Sequence, residues 1–108
     1  MSLPQKKYLG DLPALDHVED LLWEGAVFQI AWYKTPMINI FPCGRDDMFT
    51  VTFDEDAEKF IVESHYFGKR FRFNTASGVV GFLYMYMKGL VYIQYKDGVS
   101  RLKHYLTD

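Results

Sequence analysis

Polar and apolar residues alternate along several segments in the middle of the chain. The most regular alternation spans residues 48–53, where every second position is aromatic or aliphatic. Segments 26–33 and 37–42 are also short and apolar, and residues 34–36 and 43–47 between them are rich in turn formers. A period of two is typical of a strand with one buried face, and short loops favour antiparallel neighbours. The pattern therefore predicts three consecutive strands of an antiparallel meander.

A different spacing precedes these strands. In residues 14–24 the apolar residues recur at helical intervals, and Pro13 suits the first turn of a helix because its missing N–H has no helical partner there. Gly25 is a residue that readily ends a helix. We therefore predict a helix over about residues 14–24, an N-terminal arm at residues 1–12 and a single globular domain at residues 13–108.

Residues 60–67 fit two structures. Read as a helix, the segment begins at Asp54 and ends at Gly68, with its apolar residues on one face. Its β-branched and aromatic residues favour a strand instead. We predict the strand, followed by another strand at residues 70–74.

The longest uncharged run, residues 79–87, ends just before Lys88-Gly89. A membrane span needs about 20 apolar residues, so this run is expected to be buried in the protein or against a partner. Thr75 or Ser77 can cap a helix N-terminus, and Lys88-Gly89 resembles a helix C-terminus. These signals predict a helix over about residues 76–88. The alternative is a strand, because aromatic and aliphatic residues also alternate in the second half of the run.

The predicted fold class is α+β. Residues 90–96 read as a strand, Asp97-Gly98 is a strong signal for a two-residue hairpin turn, and residues 99–106 fit either a strand or a short helix. The expected architecture is an antiparallel meander sheet of about five to six strands, with the helices at about 14–24 and 76–88 packed on it. The alternative is a mostly-β, barrel-like meander with one N-terminal helix.

Composition narrows the function classes. The chain has 108 residues, of which 49% are hydrophobic and 18% aromatic, with a formal net charge of −2. Such a composition argues against disorder and predicts a core filled with rings. A net charge of this size supplies no general attraction to nucleic acid or to anionic lipids, so we expect no membrane partner. The single cysteine, together with an N-terminus unlike a signal peptide, predicts a cytoplasmic location.

Candidate catalytic and metal-binding residues are few. The sequence contains none of the common catalytic motifs. Cys43 is the candidate nucleophile, because the neighbouring Arg45 can lower a thiol pKa, although a small apolar residue at a strand end is the simpler interpretation. The three histidines lie in three different predicted elements without ligand spacing, so no metal site and no cofactor are predicted.

Charged residues give two further expectations. Residues 54–58 read D-x-D-x-E but lack the later glycine and acidic residue of a calcium loop, so they are interpreted as a solvated loop. Glu63 is placed to pair with Lys69 or Arg70 on a neighbouring strand.

Lys69, Arg70 and Arg72 alternate with aromatic residues and form the candidate anion site. A strand places Phe71 and Phe73 opposite Arg70 and Arg72, so rings and cations cannot grip one nucleic-acid strand together. Binding of nucleic acid through this segment is therefore the weakest of the function hypotheses.

The favoured hypothesis is a non-enzymatic interaction module that self-associates as a homodimer or binds a protein partner. If residues 79–87 are helical, Val80, Tyr84 and Met87 lie on a second face that a small domain does not cover, and exposed apolar patches mark interfaces. The alternative is a small-molecule pocket lined by aromatic residues, with or without an enzyme activity.

Overall fold

The computed structural model describes residues 13–96 and 99–104. Within these residues the chain forms two α-helices, α1 and α2, and seven strands, numbered here in chain order. The helices are α1 (Pro13–Leu21) and α2 (Ala76–Met87), and a short 3₁₀ turn lies at Arg45–Asp47. The strands are β1 (Phe28–Tyr33), β2 (Thr35–Ile40), β3 (Phe49–Asp54), β4 (Lys59–Ser64), β5 (Lys69–Phe73), β6 (Val91–Lys96) and β7 (Val99–His104).

Strands β1 to β5 form one sheet in sequence order, called here the main sheet, in which every neighbouring pair is antiparallel. Both helices lie on one face of it, with α1 against β2 and β3 and α2 against β4 and β5. The prediction of an α+β fold with two helices packed on an antiparallel meander is confirmed. The barrel-like alternative is wrong, because β1 and β5 are the outer strands of an open sheet.

The core lies between the main sheet and the two helices. Strand side chains alternate between the two faces, and the helix-covered face carries the large apolar residues predicted by the period-two pattern. The fully buried members of this core are Leu15, Val18, Ile38, Ile40, Phe49, Val51, Val62, Val79 and Leu83. The opposite face, called here the open face, carries mainly polar and half-buried residues.

Local signals explain where α2 begins and ends. The Thr75 side chain accepts a hydrogen bond from the Gly78 N–H at 3.0 Å, which satisfies one of the free donors at a helix N-terminus. Gly89 has φ of 75°, a conformation that suits glycine and commonly terminates a helix. The predicted helix at 76–88 is confirmed. The strand predicted at residues 60–67 is confirmed as β4, which ends at Ser64, and residues 65–67 belong to the following turn.

The first hairpin differs from its prediction. Residues 34–36 were expected to form the turn, but β2 already begins at Thr35 and only Lys34 separates it from β1. Lys34 has φ of 65°, and this left-handed conformation reverses the chain within one residue. Pro36 is tolerated inside β2 because β3 pairs with β2 only from Ile38 onward.

The last two strands also depart from a single meander. Strands β6 and β7 form a separate two-stranded antiparallel sheet, and β6 packs against α2. The strand alternative for residues 99–106 is correct, since β7 spans Val99–His104. The predicted turn at Asp97-Gly98 and the predicted arm at 1–12 lie outside the described residues.

Candidate functional site

The three residues predicted to form an interface on α2 differ in exposure. Val80 is 9% exposed and belongs to the core, Tyr84 is 40% exposed, and Met87 is half-buried. Helix α2 packs against α1 as well as against the sheet. A larger part of its surface is therefore buried than packing against the sheet alone would bury. An interface at Val80, Tyr84 and Met87 remains a prediction, with Tyr84 as its main exposed side chain.

Tyr84 already contacts its own chain. Its ring lies edge-on to Trp23 with centroids 5.8 Å apart, and the Lys88 ammonium lies 5.5 Å from the ring centroid. These contacts fix one side of the ring against the segment that follows α1.

The predicted anion site is divided between the two faces of the sheet. Lys69 pairs with the buried Ser64 and so lies on the helix-covered side, whereas Arg70 and Arg72 pair with Glu63 and Ile61 on the open face. The three cations therefore do not form one cluster. Phe71 and Phe73 pack against the core, as the alternation predicted.

The two outer strands of the main sheet have opposite character. Strand β5 has the sequence KRFRF, with a charge at three of its five positions, whereas β1 is FQIAWY and carries no charge. Trp32 and Tyr33 at the end of β1 are 47% and 72% exposed. An uncharged outer strand is unusual because unpaired strand edges are templates for pairing with another chain.

The open face contains a polar row that crosses the sheet. Successive register partners place Gln29, Asn39, Thr50, Glu63 and Arg70 side by side on β1 to β5. The Arg70 Nε atom lies 3.7 Å from Glu63 Oε1, which confirms the predicted pairing of Glu63. Both side chains are exposed enough to interact with a ligand, so their own pairing contributes little to stability.

Beside this row lies a groove of about 300 Å³, called here the open-face groove. Its lining combines apolar side chains with hydroxyl, imidazole, carboxylate and guanidinium groups. The groove is lined by Met37, Thr50, Thr52, Ile61, Glu63, His65 and Arg70.

A hydrogen-bond chain orders one wall of the open-face groove. The Thr50 hydroxyl donates to Asn39 Oδ1 at 2.7 Å. The hydroxyl oxygen of Thr50 also lies 2.6 Å from His65 Nε2. A hydroxyl has a single hydrogen, so His65 Nε2 must donate to Thr50. The backbone N–H of His65 donates to the Met48 carbonyl at 3.1 Å, which fixes the backbone of His65 at the end of the β3–β4 ladder.

A second cavity, called here the helix cleft, opens on the other side of the sheet. It measures about 520 Å³ and lies between α1, the β3–β4 turn and the start of α2. Its floor includes Phe53 and Phe60, whose rings meet edge-on at 5.0 Å. Its rim carries His17, Asp20 and Glu58. This combination of an apolar floor and an acidic rim suits an apolar ligand with a cationic group.

Cys43 does not have the environment of a nucleophile. Burial is the largest cause of the raised pKa of its thiol. The negative charge of Asp47 and a hydrogen bond with Asp47 raise this pKa further. Arg45, the residue that could have lowered this pKa, is not among the causes of the shift, and the simpler interpretation of Cys43 as a small apolar residue stays the favoured one. A raised pKa keeps the thiol protonated, whereas the thiolate is the reactive form.

Asp47 also accepts a hydrogen bond of 3.0 Å from the Tyr86 hydroxyl. Burial and this bond raise the pKa of Tyr86 well above its ordinary value. The folded state therefore favours neutral Tyr86, while the unfolded chain ionises it above about pH 10. The contribution of Tyr86 to the stability of the folded state is complete below that pH and is lost as the pH rises above it.

We therefore expect Tyr86→Phe to lower the free energy of unfolding by about 1 kcal/mol near neutral pH, the usual net contribution of one hydrogen bond. The difference from the native chain should shrink as the pH rises above about 10. Urea denaturation at a series of pH values measures it. A difference that stays constant into the alkaline range would contradict this assignment.

The comparisons and the search for metal sites are both negative. Among the described residues, no group of three or more histidine, cysteine, aspartate or glutamate side chains converges on a point that could hold a metal ion. No helix within residues 13–96 and 99–104 is long and apolar enough to cross a membrane. No protein-family model, no curated protein and no solved structure matches the chain.

Proposed function

We propose that this protein is a non-enzymatic interaction module that self-associates, with β1 of one copy pairing with β1 of a second copy. The observation that carries the proposal is the contrast between the two outer strands of the main sheet. One of them is charged at three of its five positions and the other is uncharged.

The contrast has a physical meaning. Lysine and arginine on an outer strand oppose pairing with another chain, because pairing would bring like charges together and bury them. The arginines of β5 act in this way on the open face. Strand β1 has no such protection, and within the described residues its hydrogen-bonded strand neighbour is β2 alone. Within the part of the chain that the structure describes, the edge of β1 that faces away from β2 is therefore the favourable one for strand addition.

Two-fold symmetry fits this mode of assembly. Antiparallel pairing of β1 with itself about an axis perpendicular to the sheet keeps both helical layers on the same side. The alternating side chains Phe28, Ile30 and Trp32, which belong to the helix-covered face by register, then meet their counterparts across the junction. A self-complementary contact of this kind is the usual arrangement in symmetric dimers.

Size-exclusion chromatography with light scattering tests the proposal. The native chain should show a mass approaching twice 12.7 kDa at high micromolar concentration. The double variant Gln29→Lys/Ala31→Lys puts two charges on the open face of β1 and should raise the dissociation constant at least about tenfold. Gln29→Lys alone, at an exposed position, provides a milder change if the double variant folds poorly.

Thr35→Lys is the matched control. It adds the same charge at an exposed position of β2, a strand that pairs with β1 there and is not an outer strand of the main sheet. It should leave the mass unchanged. A native chain that remains monomeric at every concentration, or a dimer that both lysine variants at β1 leave intact, would overturn the proposal.

The helix cleft supports a second candidate function, the binding of a small molecule. Its volume lies within the usual range for ligand pockets, and its aromatic floor matches the pocket expected from the composition. An aromatic amine is the suitable probe. Binding should shift the amide resonances of Ala14, Phe60 and Ala76, and the absence of saturable shifts would dismiss this candidate.

A further inference from the structure

The open-face groove carries two opposite charges at adjacent positions. Glu63 and Arg70 are register partners on β4 and β5, and their closest atoms, Oε1 and Nε, are 3.7 Å apart. This separation exceeds the length of a hydrogen bond. The carboxylate and the guanidinium therefore retain hydrogen-bonding capacity for a ligand.

The pair of charges selects among ligand classes. A simple anion that approaches Arg70 meets the negative charge of Glu63, and a simple cation that approaches Glu63 meets the positive charge of Arg70. A small zwitterion satisfies both groups. In a free α-amino acid, the carboxylate and the ammonium are attached to the same carbon, so they fit two opposite charges that lie close together.

From this geometry we propose that the open-face groove binds a free α-amino acid with an apolar side chain. Arg70 binds the carboxylate, since guanidinium and carboxylate match in shape as well as in charge. Glu63 accepts hydrogen bonds from the ammonium group.

The remainder of the groove fits the side chain of such a ligand. Met37 and Ile61 contribute apolar surface to its lining, and a methionine thioether adapts to ligands of different shape. The volume of about 300 Å³ lies at the lower end of the range for ligand pockets, so a small ligand fits better than a nucleotide or a peptide.

The hydrogen bonds between Asn39, Thr50 and His65 order the side chains beside the charged pair. Because Thr50 both donates to Asn39 and accepts from His65, its hydroxyl is held in one orientation without a ligand. A preordered wall reduces the entropy lost on binding. This inference goes beyond self-association through β1, because the groove lies on the open face and includes no residue of β1.

Titration with L-leucine, followed by amide resonances of the labelled protein, tests the inference. Saturable shifts are expected at Thr50, Thr52, Ile61 and His65. The matched probes are 4-methylpentanoate, which lacks the ammonium group, and 3-methylbutylamine, which lacks the carboxylate. Each should bind at least about tenfold more weakly than L-leucine, because each contacts only one of the two charged groups.

Arg70→Gln should weaken leucine binding at least about tenfold. Arg72→Gln is the matched control, because Arg72 is an exposed arginine of the same strand and the same face but does not line the groove. It should leave the affinity unchanged. The absence of saturable shifts with leucine would overturn the inference, and so would equal binding of the acid analogue or equal effects of the two arginine variants.

These outcomes are separate from those of the dimer experiment. The titration reports on residues of the open face, whereas light scattering reports on mass. Repeating the titration on Gln29→Lys should give the same affinity, whether or not the native chain is a dimer.

Discussion

Replacing Phe49 with alanine is expected to lower the free energy of unfolding by about 3–5 kcal/mol, the usual cost of deleting a buried phenylalanine ring. Phe49 is fully buried on the helix-covered face of β3. Its ring meets Tyr86 edge-on at 5.1 Å and Phe82 at 5.8 Å. The substitution therefore removes contacts between the main sheet and α2 and leaves a cavity at that boundary.

Urea denaturation followed by circular dichroism measures this loss. Phe53→Ala is the control, because Phe53 has the same residue type, strand and face but is only half-buried. It should cost clearly less, since less apolar surface is removed from water on folding. Equal losses for the two variants would show that the position of Phe49 between β3 and α2 has no special importance.

The elements with strong local signals could be predicted from the sequence. Helix α2 was expected at 76–88 and spans Ala76–Met87, because Thr75 caps its first turn and Gly89 permits the chain to leave it. Strand β3 was expected at 48–53 and spans Phe49–Asp54, because its alternation is unbroken. In both cases a few neighbouring residues decide the structure.

The placement of β6 and β7 could not be predicted in this way. The apolar residues of β6 indicate a strand correctly and those of β7 fit a strand or a helix, but a strand pattern does not state which sheet the strand joins. Strand β6 follows α2 after a short turn and packs against that helix, so it begins in the helical layer and not beside β5. That arrangement depends on packing between distant parts of the chain.

In the candidate sites, too, contacts between distant residues could be predicted only in part from the sequence. Glu63 was expected to pair with Lys69 or Arg70, and it lies beside Arg70 because a short turn fixes the register of β4 and β5. The contact between Thr50 and His65 depends on how β3 and β4 align, which no motif records. Likewise, the uncharged sequence of β1 becomes informative only once β1 is known to be an outer strand.

Helix α1 gives the second large expected effect, because it is too short to be stable alone. It has nine residues, and isolated helices below about 12–15 residues are marginal in water. Its stability must come from packing against β2, β3 and α2. Leu15 is fully buried in that contact, so Leu15→Ala should lower the free energy of unfolding by about 2–5 kcal/mol.

Leu21→Ala makes the same chemical change at the last residue of α1, where the side chain is 48% exposed. The intrinsic helix propensity changes equally little in both variants, so the difference between them isolates burial. We expect Leu21→Ala to cost less than about 1 kcal/mol, because its side chain keeps much of its contact with water in the folded state. Comparable losses for Leu15→Ala and Leu21→Ala in urea denaturation would mean that α1 is held by its own helical preference, and the packing of α1 on the main sheet would then contribute little to the fold.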